Sequence, residues 1–277
     1  MNTTLQNIIP QHFLSRLLGR FASARLGCLT RWGIKKFVQH YAVDMREAKI
    51  KDYREFTSFN EFFTRELAEG ARPLCTDRNA IISPVDGCVS ECGTIQKDQL
   101  LQAKGSYYSL SDLLAGDALC AQFENGAFLT AYLAPKDYHR FHMPITGKLL
   151  KMIYVPGKLF SVNQAAANQI PGLFAKNERV ICIFETEIGK LAYIAVGAMI
   201  VASIGMKWHG IVAPQRSNDV MTWDYSNQNI VLARGDEVGH FQLGSTVIML
   251  LEKDRVTWKV DMQAEKVLRM GVKIGEV

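Results

Sequence analysis

Hydrophobic residues recur at helical spacing in the first 41 residues of the chain and at strand spacing beyond about residue 80. In the first segment the apolar positions fall on one face of a helix, with Arg16, Arg20 and Arg25 between them. Those apolar positions are Leu5, Ile8, Ile9, Phe13, Leu14, Leu17, Leu18 and Phe21. The pattern predicts amphipathic helix over residues 5–41, and the helical spacing continues through residues 41–51.

Short β-rich runs, separated by turn residues, follow from about residue 80. They cover residues 127–133, 148–155, 179–186, 191–204, 230–232, 245–252 and 256–260. This order predicts an α+β fold, with N-terminal amphipathic helices followed by a mostly antiparallel β core. The last two runs predict a C-terminal hairpin whose first residue is Ser245. We expect an N-terminal helical, membrane-associating region over residues 1–70 and a β-rich catalytic core over residues 71–277.

Basic residues are concentrated at the N-terminus. The chain of 277 residues has 32 Lys and Arg against 27 Asp and Glu, and residues 1–43 contain six of the basic residues and no acid. Basic helix with bulky apolar residues, and Trp32 beside Lys35 and Lys36, is suited to the interface of an anionic membrane. The alternatives are an ordinary helix packed on its own domain and a transit peptide. The helical pattern beyond residue 41 argues against the transit peptide.

Neither a membrane span nor a metal site is predicted. No stretch reaches about 18 consecutive apolar residues. The six cysteines lack a paired zinc spacing, which is typical of free, mostly buried thiols in a reducing compartment. His139 and His142 could be read as a metal pair, but the sequence offers no evident third ligand.

The tripeptide Gly244-Ser245-Thr246 stands directly before the apolar run 247–251. A Gly-Ser bond at the start of a strand is a place where a chain can cut itself, because the serine hydroxyl can attack the preceding carbonyl. Glycine admits strained backbone angles and leaves that carbonyl uncrowded. When the resulting ester eliminates, the serine becomes a pyruvoyl group. By itself, however, Gly-Ser-Thr is also common in turns.

Self-cleavage requires a base for the hydroxyl proton and a group that orients the base. Asp86, in the segment 84–87, and His142, in the segment 139–144, are residue types that fit these tasks. Each has an ordinary alternative, because an aspartate before glycine is most often a turn residue and a lone histidine is usually structural. A second histidine, His139, lies in the same segment as His142.

Together, these segments resemble the phosphatidylserine decarboxylase family, and they occur in the order that the family has them. They are FNEFFTREL at 59–67 followed by GARP at 70–73, PVDG at 84–87, LAPKDYHRFHMP at 133–144, FSVN at 160–163, NERV at 177–180 and GHFQLGSTV at 239–247. The resemblance extends over most of the chain. The serine, the glycine, the aspartate and both histidines are present at the reacting positions.

The resemblance implies a proenzyme that cuts itself between Gly244 and Ser245. The products would be a β chain, residues 1–244, and an α chain, residues 245–277, capped by a pyruvoyl cofactor made from Ser245. Asp86 and His142 would serve self-cleavage, and His139 would serve decarboxylation. Through an imine with the pyruvoyl group, phosphatidylserine would become phosphatidylethanolamine and CO₂ without a metal.

The same resemblance implies a role in phospholipid biosynthesis and a peripheral position on the cytoplasmic face of the inner membrane. The expected partners are phosphatidylserine, the anionic membrane surface, the two chains of one protomer and a second protomer in a homodimer, with no nucleic acid. Two other hypotheses are considered. One is a Ser-His-Asp hydrolase that keeps its chain intact, and the other is a non-catalytic module that binds lipid.

Overall fold

The structure is a computed structural model, and it describes residues 11–103, 105–198, 203–215, 218–242 and 245–277. Its helices are α1 (Gln11–Ser23), α2 (Cys28–Tyr41), α3 (Phe59–Phe63), α4 (Leu110–Leu113), α5 (Cys120–Phe123), α6 (Gln164–Ala167) and α7 (Leu173–Lys176), with a 3-10 turn at Tyr53–Glu55. The two long helices, α1 and α2, both precede the first strand.

The remaining elements are mainly strands. They are β1 (Ala80–Ile82), β2 (Gly87–Thr94), β3 (Gln99–Ala103), β4 (Ser106–Ser109), β5 (Ala127–Leu133), β6 (Arg140–His142), β7 (Gly147–Val155), β8 (Arg179–Thr186), β9 (Gly189–Val196), β10 (Ser203–Met206), β11 (Gly210–Ala213), β12 (Met221–Asp224), β13 (Val231–Leu232), β14 (Glu237–Gln242), β15 (Ser245–Leu251), β16 (Thr257–Trp258), β17 (Val267–Leu268) and β18 (Lys273–Glu276). These strands pair antiparallel. The predicted α+β fold, with helices before an antiparallel β core, is confirmed.

The largest sheet within the described residues has nine strands. Its order is β12-β7-β8-β9-β15-β5-β2-β17, and β13 also pairs with β7. A four-stranded sheet has the order β11-β10-β14-β6, and a three-stranded sheet has the order β1-β18-β16. Strands β3 and β4 form a separate hairpin.

Strand β15 lies inside the large sheet, between β9 and β5, and all seven of its residues are buried. Successive side chains of a strand point to opposite faces of the sheet. Accordingly, Val247 and Met249 belong to the core on one face, while Ile248 and Leu250 belong to the core on the other. Because both faces are covered, the strand is an unbroken apolar run in the sequence.

The predicted C-terminal hairpin is wrong. Strand β15 pairs with β5 and β9, whereas the return segment contributes only β16, which pairs with β18 in another sheet. Burial explains the difference. Both edges of β15 are occupied by buried strands, so no edge is left for the segment after it, in which Val260 is fully exposed.

The predicted helix over residues 5–41 appears as α1 and α2, and its first residues, including Leu5, Ile8 and Ile9, lie outside the described part of the chain. Gly27, with φ at 58°, separates the two helices. The expected continuation through residues 41–51 is wrong. Ala42 ends α2 in the left-handed conformation, and the chain turns so that Val43 packs with Ile34 and Phe62 in a small N-terminal core.

Helices α1 and α2 present an exposed face that is both apolar and basic. Phe21 and Trp32 are each 60% exposed. Other exposed residues of this N-terminal face are Leu17, Leu26, Leu29, Arg20, Arg25, Arg31, Lys35 and Lys36. The opposite side of α2 packs on the protein through Ile34, so ordinary packing accounts for only one side of this helix. Within the described residues, no helix is long and apolar enough to cross a membrane.

Candidate active site

Three neighbouring strands of the large sheet bring the predicted site residues to one end of that sheet. Strand β2 begins directly after Asp86, and β15 begins at Ser245. Between them lies β5, whose last residue, Leu133, pairs with Ser245. The chain then leaves β5 through residues 134–138 to reach His139 and His142. Because neighbouring strands lie about 4.8 Å apart, the backbones at Asp86 and Ser245 are separated by about 10 Å.

Gly87 allows the close approach of β2 to β5 beside Asp86. A Cβ at this position would lie 2.2 Å from the Tyr132 carbonyl oxygen, which is closer than any side-chain carbon tolerates. Because residue 87 is a glycine, strand β2, which follows Asp86, can pair closely with the end of β5.

The Asp86 carboxylate is held by Arg72 and by the backbone of Met270. Arg72 Nε donates to Oδ1 at 2.9 Å, and its Nη2 donates to Oδ2. The Met270 N–H donates to Oδ1 at 2.9 Å. Asp86 is only 8% exposed, so its charge is compensated inside the protein. Among the hydrogen bonds of the described residues, none joins Asp86 to a histidine, and the predicted role of Asp86 stays a prediction.

Both ring nitrogens of His142 have partners. Nδ1 lies 2.8 Å from the Gly235 carbonyl oxygen, and Nε2 lies 3.1 Å from the Tyr138 hydroxyl. A carbonyl can only accept, so the proton sits on Nδ1 and Nε2 accepts from Tyr138. Burial lowers the pKa of His142, although the Gly235 carbonyl and the negative charges of Glu237 and Asp86 act to raise it. The imidazole is therefore neutral near pH 7, with its lone pair on Nε2.

His139 is fully buried and stacks on Phe63, with ring centroids 4.0 Å apart and an interplanar angle of 19°. Neither of its ring nitrogens has a hydrogen-bond partner among the described residues. Burial lowers the pKa of His139 to about 3, and the positive charge of Arg65 lowers it further. The backbone of Pro135 and Ala134 acts in the opposite direction and raises this pKa, but less than burial lowers it. The result is a neutral imidazole whose ring plane is fixed by the aromatic face of Phe63.

Ser245 is fully buried, and its hydroxyl has no hydrogen-bond partner among the described residues. The same holds for the hydroxyl of Thr246. An unpaired buried hydroxyl costs about 1–3 kcal/mol, so most buried hydroxyls in folded proteins bind a protein group or an ordered water. Gly244, the other residue of the predicted cleavage site, lies outside the described residues.

A cavity of about 480 Å³ opens beside Asp86. Its walls include Asp86, Arg72, Arg65 and Tyr138, while Ser245 and the two histidines are absent from its described lining. The volume falls within the range of small-molecule sites. The cavity thus gives access to the carboxylate side of the site. No cluster of three metal-ligating side chains occurs in the part of the chain that the structure describes.

Sequence reasoning gave no role to Arg72, Tyr138, Phe63 or Met270, although the first three lie in the segments that carried the resemblance. Tyr138 is four residues before His142, and its motif could have suggested the contact. The contacts of Asp86 with Arg72 and Met270 join residues 14 and 184 positions apart. Such pairs depend on the fold, and no local pattern signals them.

Comparison with known proteins identifies the family. A family model described as phosphatidylserine decarboxylase matches residues 59–276, and another, described as PSD, matches residues 1–42. The phosphatidylserine decarboxylase proenzyme of Shewanella denitrificans is 51% identical, over 99% of this chain and 96% of the relative. Those of Pasteurella multocida and Vibrio parahaemolyticus are each 51% identical, over 96% of this chain and 91% and 95% of the relatives. The first family model, over residues 59–276, includes Asp86, both histidines and Ser245. This chain belongs to the phosphatidylserine decarboxylase family.

Proposed function

We propose that the chain is a self-processing decarboxylase that makes a pyruvoyl group from Ser245 and converts phosphatidylserine to phosphatidylethanolamine and CO₂. The position of Ser245 carries the proposal. It is the first residue of an internal strand, fully buried, and paired with the strand that leads to both histidines. The names of the curated relatives, proenzymes of this decarboxylase, support the same reaction.

A pyruvoyl group suits this position. The Ser245 hydroxyl is a buried donor with no acceptor among the described residues, and such a donor loses the hydrogen bond that it makes in water. Conversion to a ketone removes the donor and leaves only an acceptor. The unpartnered ring of His139, six residues beyond Leu133, offers a donor of the matching kind.

In the proposed cleavage, His142 is the base. Its Nε2 carries the lone pair, and the Tyr138 hydroxyl must turn away before Nε2 takes the proton of Ser245. Ser245 Oγ then bonds to the Gly244 carbonyl carbon, the peptide C–N bond breaks, and the nitrogen leaves as a protonated amine. Removal of the Ser245 α-proton expels the Gly244 carboxylate and leaves dehydroalanine. The dehydroalanine tautomerises to an imine, and hydrolysis of the imine replaces its nitrogen with the oxygen of water and releases ammonia.

Strand β15 would hold the small chain in place after the cut. Residues 245–251 pair with β5, and residues 246–251 pair with β9. Both faces of the strand are buried as well. We therefore expect chains 1–244 and 245–277 to stay associated as one protomer, held by sheet pairing and by the core rather than by a covalent link.

When present, the pyruvoyl group supplies an electron sink for the bond that breaks as CO₂ leaves. His139 is the residue proposed to return a proton to the substrate carbon. Stacking on Phe63 fixes the plane of its ring, and the imidazole can both donate and accept. The low pKa of His139, a result of burial, would rise towards neutral pH when a negatively charged head group enters beside it, so that a larger fraction of His139 is protonated and able to donate.

The N-terminal face is proposed to bind the membrane that contains the lipid substrate, as a peripheral attachment on the cytoplasmic face of the inner membrane. Exposed Phe21 and Trp32 supply apolar area, and the surrounding arginines and lysines supply attraction to anionic lipid. The double variant Leu29→Ser/Trp32→Gln should bind vesicles of phosphatidylserine and phosphatidylcholine roughly tenfold more weakly in a sedimentation assay. Val260→Ser, at a fully exposed residue of the β core, is the matched control and should bind like wild type.

Two serine-to-alanine variants test the proposed reaction, one at the proposed cleavage site and one as a control. Ser245→Ala should stay a single uncut chain without decarboxylase activity. Ser90→Ala, in a buried position of β2, should be cut and active. A denaturing gel and release of CO₂ from phosphatidylserine vesicles report both properties. Activity in the Ser245→Ala protein would refute the proposal. Release of CO₂ by an intact wild-type chain would refute the pyruvoyl cofactor. Homodimer formation also stays a prediction, which analytical ultracentrifugation can test.

A further inference from the structure

The Asp86 carboxylate has the most complete set of partners in the candidate site. Two nitrogens of Arg72 bind its two oxygens, and the Met270 N–H binds Oδ1 as well. The side chains are 6% and 12% exposed for Arg72 and Asp86, respectively. Burying a carboxylate to this degree costs free energy unless a cation or several donors compensate its charge.

Two further hydrogen bonds fix the orientation of the Arg72 guanidinium. Its Nη2 donates to Glu47 at 2.7 Å, and its Nη1 donates to the Ala71 carbonyl at 2.7 Å. Burial lowers the pKa of Arg72, but its hydrogen bonds to Asp86 and Glu47 outweigh this effect and raise that pKa above the ordinary value. The guanidinium is therefore a permanent charge with a fixed plane, which is what two-point binding of a carboxylate requires.

Two parts of the chain on opposite sides of the proposed cut meet at Asp86. Met270 belongs to the segment 245–277, while Asp86 and Arg72 belong to the segment 1–244. Beside Met270, Arg269 binds Glu47, which in turn binds Arg72. Arg72 and Asp86 both belong to the segment 1–244. We therefore expect the contact between them to remain after cleavage, whether or not residues 245–277 move.

We propose that Arg72 is a positioning residue for self-cleavage, which rests on the proposed function of this site. It binds both oxygens of Asp86 and fixes the plane of this carboxylate. The segment of Asp86 lies against that of His142, whose backbone N–H donates to the Pro84 carbonyl oxygen at 2.8 Å. From this position, two residues after Pro84, the negative charge of Asp86 favours the protonated form of His142 and so opposes part of the effect of burial on the pKa of His142. Arg72 touches neither the serine nor the histidines through any hydrogen bond among the described residues, so its effect passes through Asp86.

Chemical rescue tests this role. Arg72→Ala removes the side chain from the wall of the 480 Å³ cavity, which leaves room for a guanidinium ion to approach Asp86. Precursor made by cell-free translation should be cut about 10- to 100-fold more slowly in Arg72→Ala than in wild type, the range typical for loss of a residue that supports a catalytic group. A few millimolar guanidinium should speed that cleavage several-fold. Urea, of the same shape but uncharged, should not.

Two further variants separate positioning from folding. Arg72→Lys keeps a cation but not the two-point contact, and it should be cut at a rate between those of wild type and Arg72→Ala. Arg46→Ala removes an arginine of an exposed ion pair with Asp44 and should be cut like wild type. Wild type and Ser245→Ala, run alongside, report on the proposed function itself. The proposal on Arg72 is overturned when Arg72→Ala is cut at the wild-type rate, or when folded Arg72→Ala and Arg72→Lys are equally slow and guanidinium changes neither.

Discussion

The candidate site has two sides, which we call the acid–base side (Asp86 and His142) and the serine side (Ser245 and His139). The two sides differ in how many of their polar atoms have a hydrogen-bond partner. On the acid–base side, Asp86 is bound by Arg72 and Met270, and both nitrogens of His142 have partners. On the serine side, the described residues offer no partner to the hydroxyl of Ser245 or to the ring nitrogens of His139. Both sides are buried to a similar degree, so burial does not explain the difference.

This difference in hydrogen bonding fits two separate roles in the proposed reaction. A fully bonded carboxylate and imidazole are held in one geometry before any reaction begins, which is how a base and its supporting charge act best. Unpaired buried groups are costly in the resting protein, and they gain partners only when a reacting group arrives. Under the proposed function, the acid–base side would serve the cut, and the serine side would serve the decarboxylation that follows it.

The largest expected effect comes from removing the base. His142→Ala should slow self-cleavage by roughly 10⁴-fold, as loss of a member of a catalytic triad does. The precursor would persist on a denaturing gel, with a circular dichroism spectrum like that of wild type. Cleavage of this variant at a normal rate would assign the acid–base side a purely structural role.

His139→Ala should separate the two sides most clearly. Because His139 contacts neither Asp86 nor His142 through a hydrogen bond among the described residues, the chain should still be cut. Release of CO₂ should fall by roughly 10²- to 10⁴-fold, the usual contribution of a general acid or base. Measuring both quantities on one preparation decides the matter. A precursor that remains uncut would place His139 on the same side as His142.

The pH dependence of cleavage should reflect the lowered pKa of His142. Burial holds this pKa below its ordinary value of 6.5, and the base acts only in its neutral form. The rate should therefore stay level as the pH falls from 8 to 6.5, and it should decline only at more acidic pH. A time course of precursor cleavage at a series of pH values checks this. A midpoint above 6.5 would mean that the surrounding charges outweigh burial.

The smallest expected effect concerns stability. Thr246→Val keeps the shape of the side chain but removes a buried hydroxyl that lacks a partner among the described residues. The free energy of unfolding should stay the same or rise by about 1 kcal/mol. Asp86→Asn, on the fully bonded side, should lower it instead, because buried Arg72 then loses one of its two charge partners. Urea denaturation measures both. A clear loss of stability in Thr246→Val would reveal a partner for this hydroxyl.

The sequence predicts strand boundaries best where a run of buried apolar residues is bounded by turn residues. Strands β5 and β8 begin and end at the predicted residues because each is a buried apolar run bounded by turns. The hairpin after Ser245 was wrong because strand pairing follows which edges are filled, and β5 and β9 fill both edges of β15. The four candidate site residues could be named from motifs, and their roles stay predictions. Their partners could not be named in this way, since Arg72 and Met270 reach Asp86 only through the folded chain.

The N-terminal helices illustrate a second limit. Their apolar spacing predicted α1 and α2, but it did not indicate which face packs on the protein. Ile34 packs inward while Trp32, two residues away, is exposed. The sequence also continued in helical register beyond residue 41, where Ala42 turns the chain so that Val43 joins the N-terminal core. Tertiary packing overrides local propensity at such positions.

The most direct test of the central claim is the intact mass of the purified wild-type protein. The account predicts two species, residues 1–244 and residues 245–277. The smaller should be lighter than a serine-terminated peptide by the mass of one ammonia molecule, and hydroxylamine should modify it as a ketone. An active preparation that contains only the full-length chain, or a small fragment that begins with unmodified serine, would contradict the account.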